Sequence, residues 1–175
     1  GSDGNLPYAI DADGSIATLA EFTAKGIELL DNPNGFFMMI EGGAIDWCGH
    51  ANEAAGNLGE VLALDEAVRV AVKFAEKHPK ETLIVVTGDH ETGGMTMGFA
   101  GTGYALYMER LANQKCSVGK FKQKLAAAQK ANPAFSFEDA KKMPQPLSFR
   151  FSAQNQFPAS CKKPFCQIRP RLSHC

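Results

Sequence analysis

The sequence predicts an α/β protein with three layers, in which a mostly parallel sheet is flanked by helices. Two apolar runs of strand length, residues 36–40 and 82–87, are each followed by glycine and polar residues. Helical apolar patterns precede the first run and connect it to the second. Because alternating helices and strands with short turns are typical of parallel sheets, we expect both runs to be strands covered on both faces.

The first predicted helix covers residues 18–31. Thr18 and Glu21, three residues apart, match a capping box, which satisfies free backbone N–H groups at the start of a helix. The turn-forming run Asp-Asn-Pro-Asn-Gly at 31–35 ends the pattern. The sequence therefore places this helix directly before the first strand.

The second predicted helix covers about residues 54–78 and joins the two apolar runs. Its apolar residues keep an approximately helical spacing, and Pro79 closes the helix. Asp65 and Arg69 are four residues apart, so we expect them to pair on the outer face.

Signals for regular structure are weaker in the C-terminal third of the chain. Residues 101–103 predict a loop, and residues 105–111 fit either a strand or a helix. Residues 117–130 predict a helix. Ser136 and Asp139 have the spacing of a cap for one more short helix.

The composition is typical of a globular protein and disfavours two classes of function. The 175 residues are 45% hydrophobic and 21% charged, with a formal net charge of -1. A nucleic-acid-binding protein normally carries a basic excess, so we expect no nucleic-acid partner. No apolar run approaches the roughly 18 residues of a membrane span, and the first residues lack the pattern of a signal peptide.

The charge divides the chain into a predicted α/β domain, residues 1–146, and a tail, residues 147–175. The domain holds 13 Lys and Arg against 19 Asp and Glu, a net charge of -6, whereas the tail holds five basic residues and no acidic one. Three of the five cysteines also lie in the tail. A disulfide pair of a secreted protein and sequence foreign to the domain are both open interpretations. The tail shows no helical or strand period, so we expect it to be unstructured or non-native.

Potential metal ligands follow both apolar runs. Glu41, Asp46 and His50 come after the first run, and Asp89 and His90 come after the second. In a parallel sheet the carboxyl ends of the strands meet at one edge, so we expect these five side chains to converge. Imidazole nitrogen and carboxylate oxygen suit zinc, and an all-oxygen position suits magnesium. The sequence therefore predicts a metal site.

Each part of this set also has an ordinary structural interpretation. Glu41 alone is compatible with a cap on the following turn, and an Asp and a His four residues apart are more often a surface pair. Asp89-His90 alone is compatible with a loop dipeptide. Cys48 lies close to the proposed ligands, but packing is the favoured interpretation of its side chain. The joint placement at two strand ends is what favours a metal site.

The two clusters together resemble the signature of the alkaline phosphatase family. That signature is Glu-Gly-Gly-x-Ile-Asp-x-x-x-His, followed about forty residues later by Thr-x-Asp-His. Residues 36–94 match the family pattern almost without interruption, and the likeness extends from about residue 6 to residue 142. The resemblance implies a hydrolase of phosphate monoesters with two zinc ions and one magnesium ion.

The resemblance also implies a role for each proposed ligand. Glu41 corresponds to the magnesium ligand, Asp46 and His50 to ligands of one zinc ion, and Asp89 and His90 to ligands of the second. Members of the family are usually periplasmic or extracellular and often form homodimers, which is an expectation inherited from the likeness.

Two further parts of the family pattern are not recognisable in this sequence. One is the region of the serine nucleophile, and the other is a zinc-binding His followed by Thr near the C-terminus. No catalytic residue is therefore assigned, and we expect the isolated chain to be inactive. The alternatives are another member of the two-metal superfamily, such as a phosphomutase or a sulfatase, or a non-catalytic metal-binding module.

Overall fold

The computed structural model describes residues 5–93 and 107–143, and the regular structure of these residues is helical. The helix α3 is the centre of the packing: α1, α2 and the first 3₁₀ segment all lie against it. The elements are α1 (Leu19–Leu30), α2 (Gly43–His50), α3 (Ala54–Lys77), α4 (Val118–Ala131) and α5 (Phe137–Lys142), with 3₁₀ segments at Ala9–Asp11 and Met108–Asn113.

The predicted three-layer α/β architecture is wrong for the described residues, which contain no strand. Residues 36–40 and 82–87, predicted as buried parallel strands, lie outside regular structure. A strand is defined by ladder hydrogen bonds to a neighbour. No backbone hydrogen bond joins either segment to another one within residues 5–93 and 107–143. Apolar character alone therefore did not make these segments a sheet.

The first apolar segment nevertheless buries alternate side chains against the helices. The Phe36 ring contacts the Phe74 ring of α3 edge-on, with centroids 5.7 Å apart. The half-buried Met38 side chain lies against Gly26 of α1. Phe37, between them, is 88% exposed. One face of the segment is thus packed and the other is open, which is the period-two pattern of a strand.

The second apolar segment and the helices also present large apolar side chains to solvent. Leu83 is 87% exposed, whereas its neighbour Ile84 is half-buried. Leu29 of α1 and Leu62 of α3 are exposed as well. Exposed apolar surface of this extent favours self-association.

Changing Phe37 to lysine is expected to reduce self-association without lowering stability, because this side chain makes little packing contact. Phe36→Lys is the matched variant on the opposite face. It should lower the free energy of unfolding by roughly 2 kcal/mol or more, because a charged group would replace the ring packed on Phe74. Light scattering and urea unfolding measure the two effects. Equal destabilisation by both variants would contradict the alternation of exposed and packed side chains.

The first two predicted helices are confirmed with nearly the predicted boundaries. At the start of α1 the backbone N–H of Glu21 donates to Thr18 Oγ1 (3.2 Å), and the N–H of Thr18 donates to Glu21 Oε2 (2.7 Å), so the capping box forms. The α3 helix ends two residues before Pro79. Arg69 and Asp65 form the expected pair, at 2.7 Å.

The helical predictions for the C-terminal part are also confirmed where the structure describes it. Ser117 caps α4, since its side chain accepts from the N–H of Lys120. Ser136 and Asp139 form the capping box of α5. Of the ambiguous stretch 105–111, residues 108–111 are 3₁₀-helical. The predicted loop at 101–103 and the predicted tail lie outside the described residues.

The buried carboxylate of Glu60 and the half-buried carboxylate of Asp11 connect the N-terminal segment with α3 and with the start of α4. The N–H of Ala9 donates to Glu60 of α3, and the N–H of Ser117 donates to Asp11 Oδ1 at 2.9 Å. Burial, and secondarily the nearby Asp11 carboxylate, raises the pKa of Glu60 above its usual range. Within the described residues, no helix combines the length and the apolar character needed to cross a membrane.

Candidate metal centre

Asp46 and His50 lie one turn apart on α2. Asp46 Oδ2 is 3.4 Å from His50 Nε2, and the imidazole is exposed to solvent. The helix is attached to α3 by Asn57, whose side-chain amide donates to the carbonyl oxygen of Ile45 at 2.8 Å. The pair is therefore presented on the surface of a helix whose position is fixed by packing.

Asp89 and His90 follow the second apolar segment directly. Asp89 Oδ2 lies 3.6 Å from His90 Nε2, and both side chains are exposed. The other carboxylate oxygen, Oδ1, accepts a hydrogen bond of 3.0 Å from the backbone N–H of His90. This bond orients the carboxylate toward the ring that follows it in the chain.

The side chain of Thr92 links the two Asp–His pairs. Its hydroxyl donates to Asp46 Oδ1 at 2.6 Å, and the same oxygen lies 3.0 Å from His90 Nδ1. Four of the five predicted ligands therefore belong to one connected cluster. The sequence does not reveal this role for Thr92, because the residue is 46 positions from Asp46 and no local spacing relates them.

The backbones of α2 and of the loop after His90 approach each other closely at two glycines. A Cβ atom on Gly49 would lie 2.7 Å from the carbonyl oxygen of Thr92. A Cβ atom on Gly93, where φ is +86°, would lie 2.7 Å from the carbonyl oxygen of Gly49. The absence of side chains at both positions lets the loop lie directly on α2 and brings Thr92 within reach of Asp46.

Glu41 lies apart from this cluster. Its carboxylate turns toward the first residue of α2, such that a Cβ atom on Gly43 would be 3.1 Å from Glu41 Oε1. Among the described residues, no hydrogen bond or ion pair connects Glu41 with the other four predicted ligands. The structure thus brings together the two proposed zinc pairs but not the proposed magnesium ligand.

The N···O separation within each pair matches that of two neighbouring zinc ligands, but neither pair alone completes a metal site. Zinc–ligand distances of about 2.0–2.2 Å in a tetrahedron separate neighbouring ligand atoms by about 3.4 Å. The observed separations of 3.4 Å and 3.6 Å are close to that value. Within residues 5–93 and 107–143, no group of three or more His, Cys, Asp or Glu side chains is arranged to hold a metal. Each pair therefore supplies two ligands.

Cys48 is not available as a further ligand in this arrangement. Its side chain is fully buried between α2 and α3, and a Cβ atom on Gly56 would lie 3.1 Å from its Sγ. Burial, followed by the carboxylates of Glu53, Glu60 and Asp11, raises the pKa of the Cys48 thiol to about 12. Burial of this side chain agrees with the packing interpretation.

Comparison with known proteins finds one family model and several individual proteins that match this chain. A model of the alkaline phosphatase family matches residues 2–161. Alkaline phosphatase 4 of Bacillus subtilis is 42% identical over 101 residues, which cover 57% of this chain and 22% of that protein. The repressible alkaline phosphatase of Saccharomyces cerevisiae is 38% identical over 136 residues, which cover 71% of this chain and 24% of that protein. Alkaline phosphatase H of Pseudomonas aeruginosa is 55% identical over 76 residues, which cover 43% of this chain and 16% of that protein.

The matched region contains the whole cluster described above. The chain spans about a fifth of the length of these curated relatives. The family match covers most of the chain, including both Asp–His pairs and Thr92, and it continues past residue 146. The chain therefore belongs to the alkaline phosphatase family.

Proposed function

We propose that this chain is the metal-binding part of a metal-dependent phosphate monoester hydrolase. The observation that carries the proposal is the pair of carboxylate–imidazole groups, each with a ligand-like N···O separation and both linked through Thr92. Membership of the alkaline phosphatase family supports the reaction class. Asp46 is half-buried and the other three side chains of the two pairs are exposed, which leaves the pairs accessible to an ion and to a substrate.

The proposed ligand assignment follows the two pairs. Asp46 and His50 would hold one zinc ion, and Asp89 and His90 would hold the second. Glu41 is the proposed magnesium ligand, since magnesium prefers carboxylate oxygen and water. When bound, such ions supply the positive charge that stabilises the attacking and leaving oxygens of a phosphoryl group.

The residues of this chain would contribute binding and orientation rather than the nucleophile. The two pairs set the separation of the ligand atoms, and Thr92 and the backbone contact at Gly49 fix the loop relative to α2. No serine of this chain is assigned a nucleophilic role, and each pair supplies only two ligands. We therefore propose that the chain binds zinc but does not turn over substrate on its own.

Zinc titration of the full chain by calorimetry tests this assignment. His50→Ala and Asp89→Ala are each expected to weaken binding at one pair at least tenfold, because each removes a direct ligand. Asp65→Ala is the matched control: it removes an exposed carboxylate that pairs with Arg69, and zinc affinity should stay unchanged. Unchanged affinity in both ligand variants would refute the metal site.

Two further measurements separate a hydrolase from a non-catalytic metal-binding module. The zinc-loaded chain should bind inorganic phosphate, and Asp89→Ala should abolish this binding. The full chain with zinc and magnesium should not hydrolyse p-nitrophenyl phosphate at alkaline pH. Turnover that disappears in Asp89→Ala would contradict the proposed inactivity, and zinc binding without any phosphate affinity would favour the non-catalytic module.

A further inference from the structure

Thr92 occupies a position that its sequence context does not explain. Its hydroxyl lies between a carboxylate of one Asp–His pair and the imidazole of the other. We propose that Thr92 is a positioning residue, which holds the His90 ring with Nε2 free to bind a metal and ties that ring to Asp46. The inference rests on the proposed function, because it assigns a role within the same metal centre.

The direction of each hydrogen bond follows from the number of protons available. An ionised carboxylate only accepts, so the Thr92 hydroxyl must donate to Asp46 Oδ1 across the 2.6 Å contact. A hydroxyl has one proton, and that proton is then used. The same oxygen can therefore only accept from His90 Nδ1, which is 3.0 Å away.

A second neighbour places the same requirement on the His90 ring. The carbonyl oxygen of Glu91 lies 3.3 Å from His90 Nδ1, and a carbonyl oxygen cannot donate. Both neighbours of Nδ1 are thus acceptors, which requires a proton on Nδ1. In the neutral ring this leaves Nε2 with its lone pair. Asp89 Oδ2 is 3.6 Å from Nε2, which is too far for a hydrogen bond that would hold the proton on Nε2 instead.

This arrangement is the one that a zinc-binding histidine needs. Histidine ligands usually donate the N–H that does not face the metal to a fixed acceptor, which sets the tautomer and the ring orientation. Here the acceptor is held in turn by Asp46, a proposed ligand of the other ion. A single hydroxyl therefore links the geometry of both pairs, and its removal should affect both.

A purely structural role for Thr92 predicts a different result. In that case the side chain would serve only to attach the loop to α2, and its shape would matter more than its hydroxyl. Thr92→Val keeps the branched shape and removes the hydroxyl, whereas Thr92→Ser keeps the hydroxyl and removes the methyl group. The positioning role predicts loss in the valine variant and rescue in the serine variant.

The first measurement uses the metal-free full chain at pH 8. Long-range ¹H–¹⁵N spectra report which ring nitrogen of His90 carries the proton. The wild type and Thr92→Ser should show the proton on Nδ1, and Thr92→Val should shift the ring toward the Nε2-protonated form. An Nε2 proton in the wild type, or an unchanged tautomer in Thr92→Val, would overturn the inference.

The second measurement is zinc titration of the same three proteins, with melting temperatures as a check on folding. Thr92→Val should weaken zinc binding by about tenfold or more, as loss of a hydrogen-bond partner of a ligand typically does. Thr92→Ser should stay within about threefold of the wild type. Equal affinity in all three proteins would overturn the positioning role and leave the metal site standing. A wild type with the Nδ1 proton but no zinc affinity would support the hydrogen-bond assignment and overturn the proposed function.

Discussion

Replacing Glu53 by alanine is expected to lower the free energy of unfolding by about 3 kcal/mol, because one buried and one half-buried donor would lose their acceptor. Glu53 is only 4% exposed. Its Oε2 atom accepts from the side-chain amide of Gln114 at 3.1 Å and from the backbone N–H of Val118 at 3.0 Å. Gln114 is itself 5% exposed, so water cannot readily replace the missing acceptor.

The bonds of Glu53 connect segments that are distant in the chain. Val118 is the first residue of α4, whereas Glu53 precedes α3. Asp11 accepts from the N–H of Ser117 at the same helix start, so two carboxylates lie at the N-terminus of α4. Negative charge at this end of a helix is favourable, because the free N–H groups give it partial positive charge. Loss of Glu53 should therefore loosen the attachment of α4.

Urea unfolding of the full chain measures this effect. Glu53→Gln retains one acceptor oxygen and should lose less, about 1 kcal/mol. Glu76→Ala is the matched control, because it removes an exposed glutamate of α3 and should change the free energy of unfolding by less than about 0.5 kcal/mol. A loss in Glu53→Ala no larger than that of the control would show that these bonds do not stabilise the fold.

Helices α1, α3, α4 and α5 could be predicted from the sequence because their signals are local, whereas the short helix α2 was not predicted. The capping box of Thr18 and Glu21 and the pair of Asp65 and Arg69 each involve residues three or four positions apart. A strand has no such local definition. Residues 36–40 alternate between packed and exposed side chains, yet a sheet also requires a neighbouring backbone, which an apolar run cannot specify.

The candidate site shows the same limit at the level of single residues. The pair of Asp46 and His50 could be predicted from its spacing of four, and Asp89-His90 from its motif. Thr92 could not, because its partner Asp46 is brought near only by the contact of the loop with α2. The buried Glu53 was missed for a related reason, since its acceptor role depends on donors 61 and 65 residues away.

Replacing Gly49 by alanine is expected to separate the two Asp–His pairs and to weaken zinc binding by about tenfold or more. The new Cβ atom would lie 2.7 Å from the carbonyl oxygen of Thr92 and 3.2 Å from its Cγ2. The closer atom belongs to the backbone and cannot rotate away, so the loop itself must move. A shift of this loop would break the contact between Thr92 and Asp46.

The steric clash at the loop opposes the intrinsic preference of alanine over glycine for a helix. A loss of zinc affinity in this variant would therefore point to the loop contact and not to the helix. Alanine favours a helix interior over glycine by about 1 kcal/mol, and by less in a last turn such as that of Gly49, so α2 considered alone should not lose from the change. Gly59→Ala on α3 is the matched control. Its Cβ atom would meet nothing closer than 3.9 Å, so the melting temperature should rise or stay equal and zinc affinity should not change. The two variants make the same chemical change in two helices, and they differ in the contact with the loop.

The combination of affinity and stability decides whether the loop contact positions the site. If the contact is formed as described, Gly49→Ala loses zinc affinity although its α2 helix is intrinsically no less favourable, and Gly59→Ala does not. Gly93 is a less informative position, since its φ of +86° strains any side chain regardless of the neighbouring α2 helix. Gly49→Ala with unchanged affinity and a melting temperature raised as in Gly59→Ala would mean that the loop does not lie on α2. The link between the two pairs would then have no steric basis.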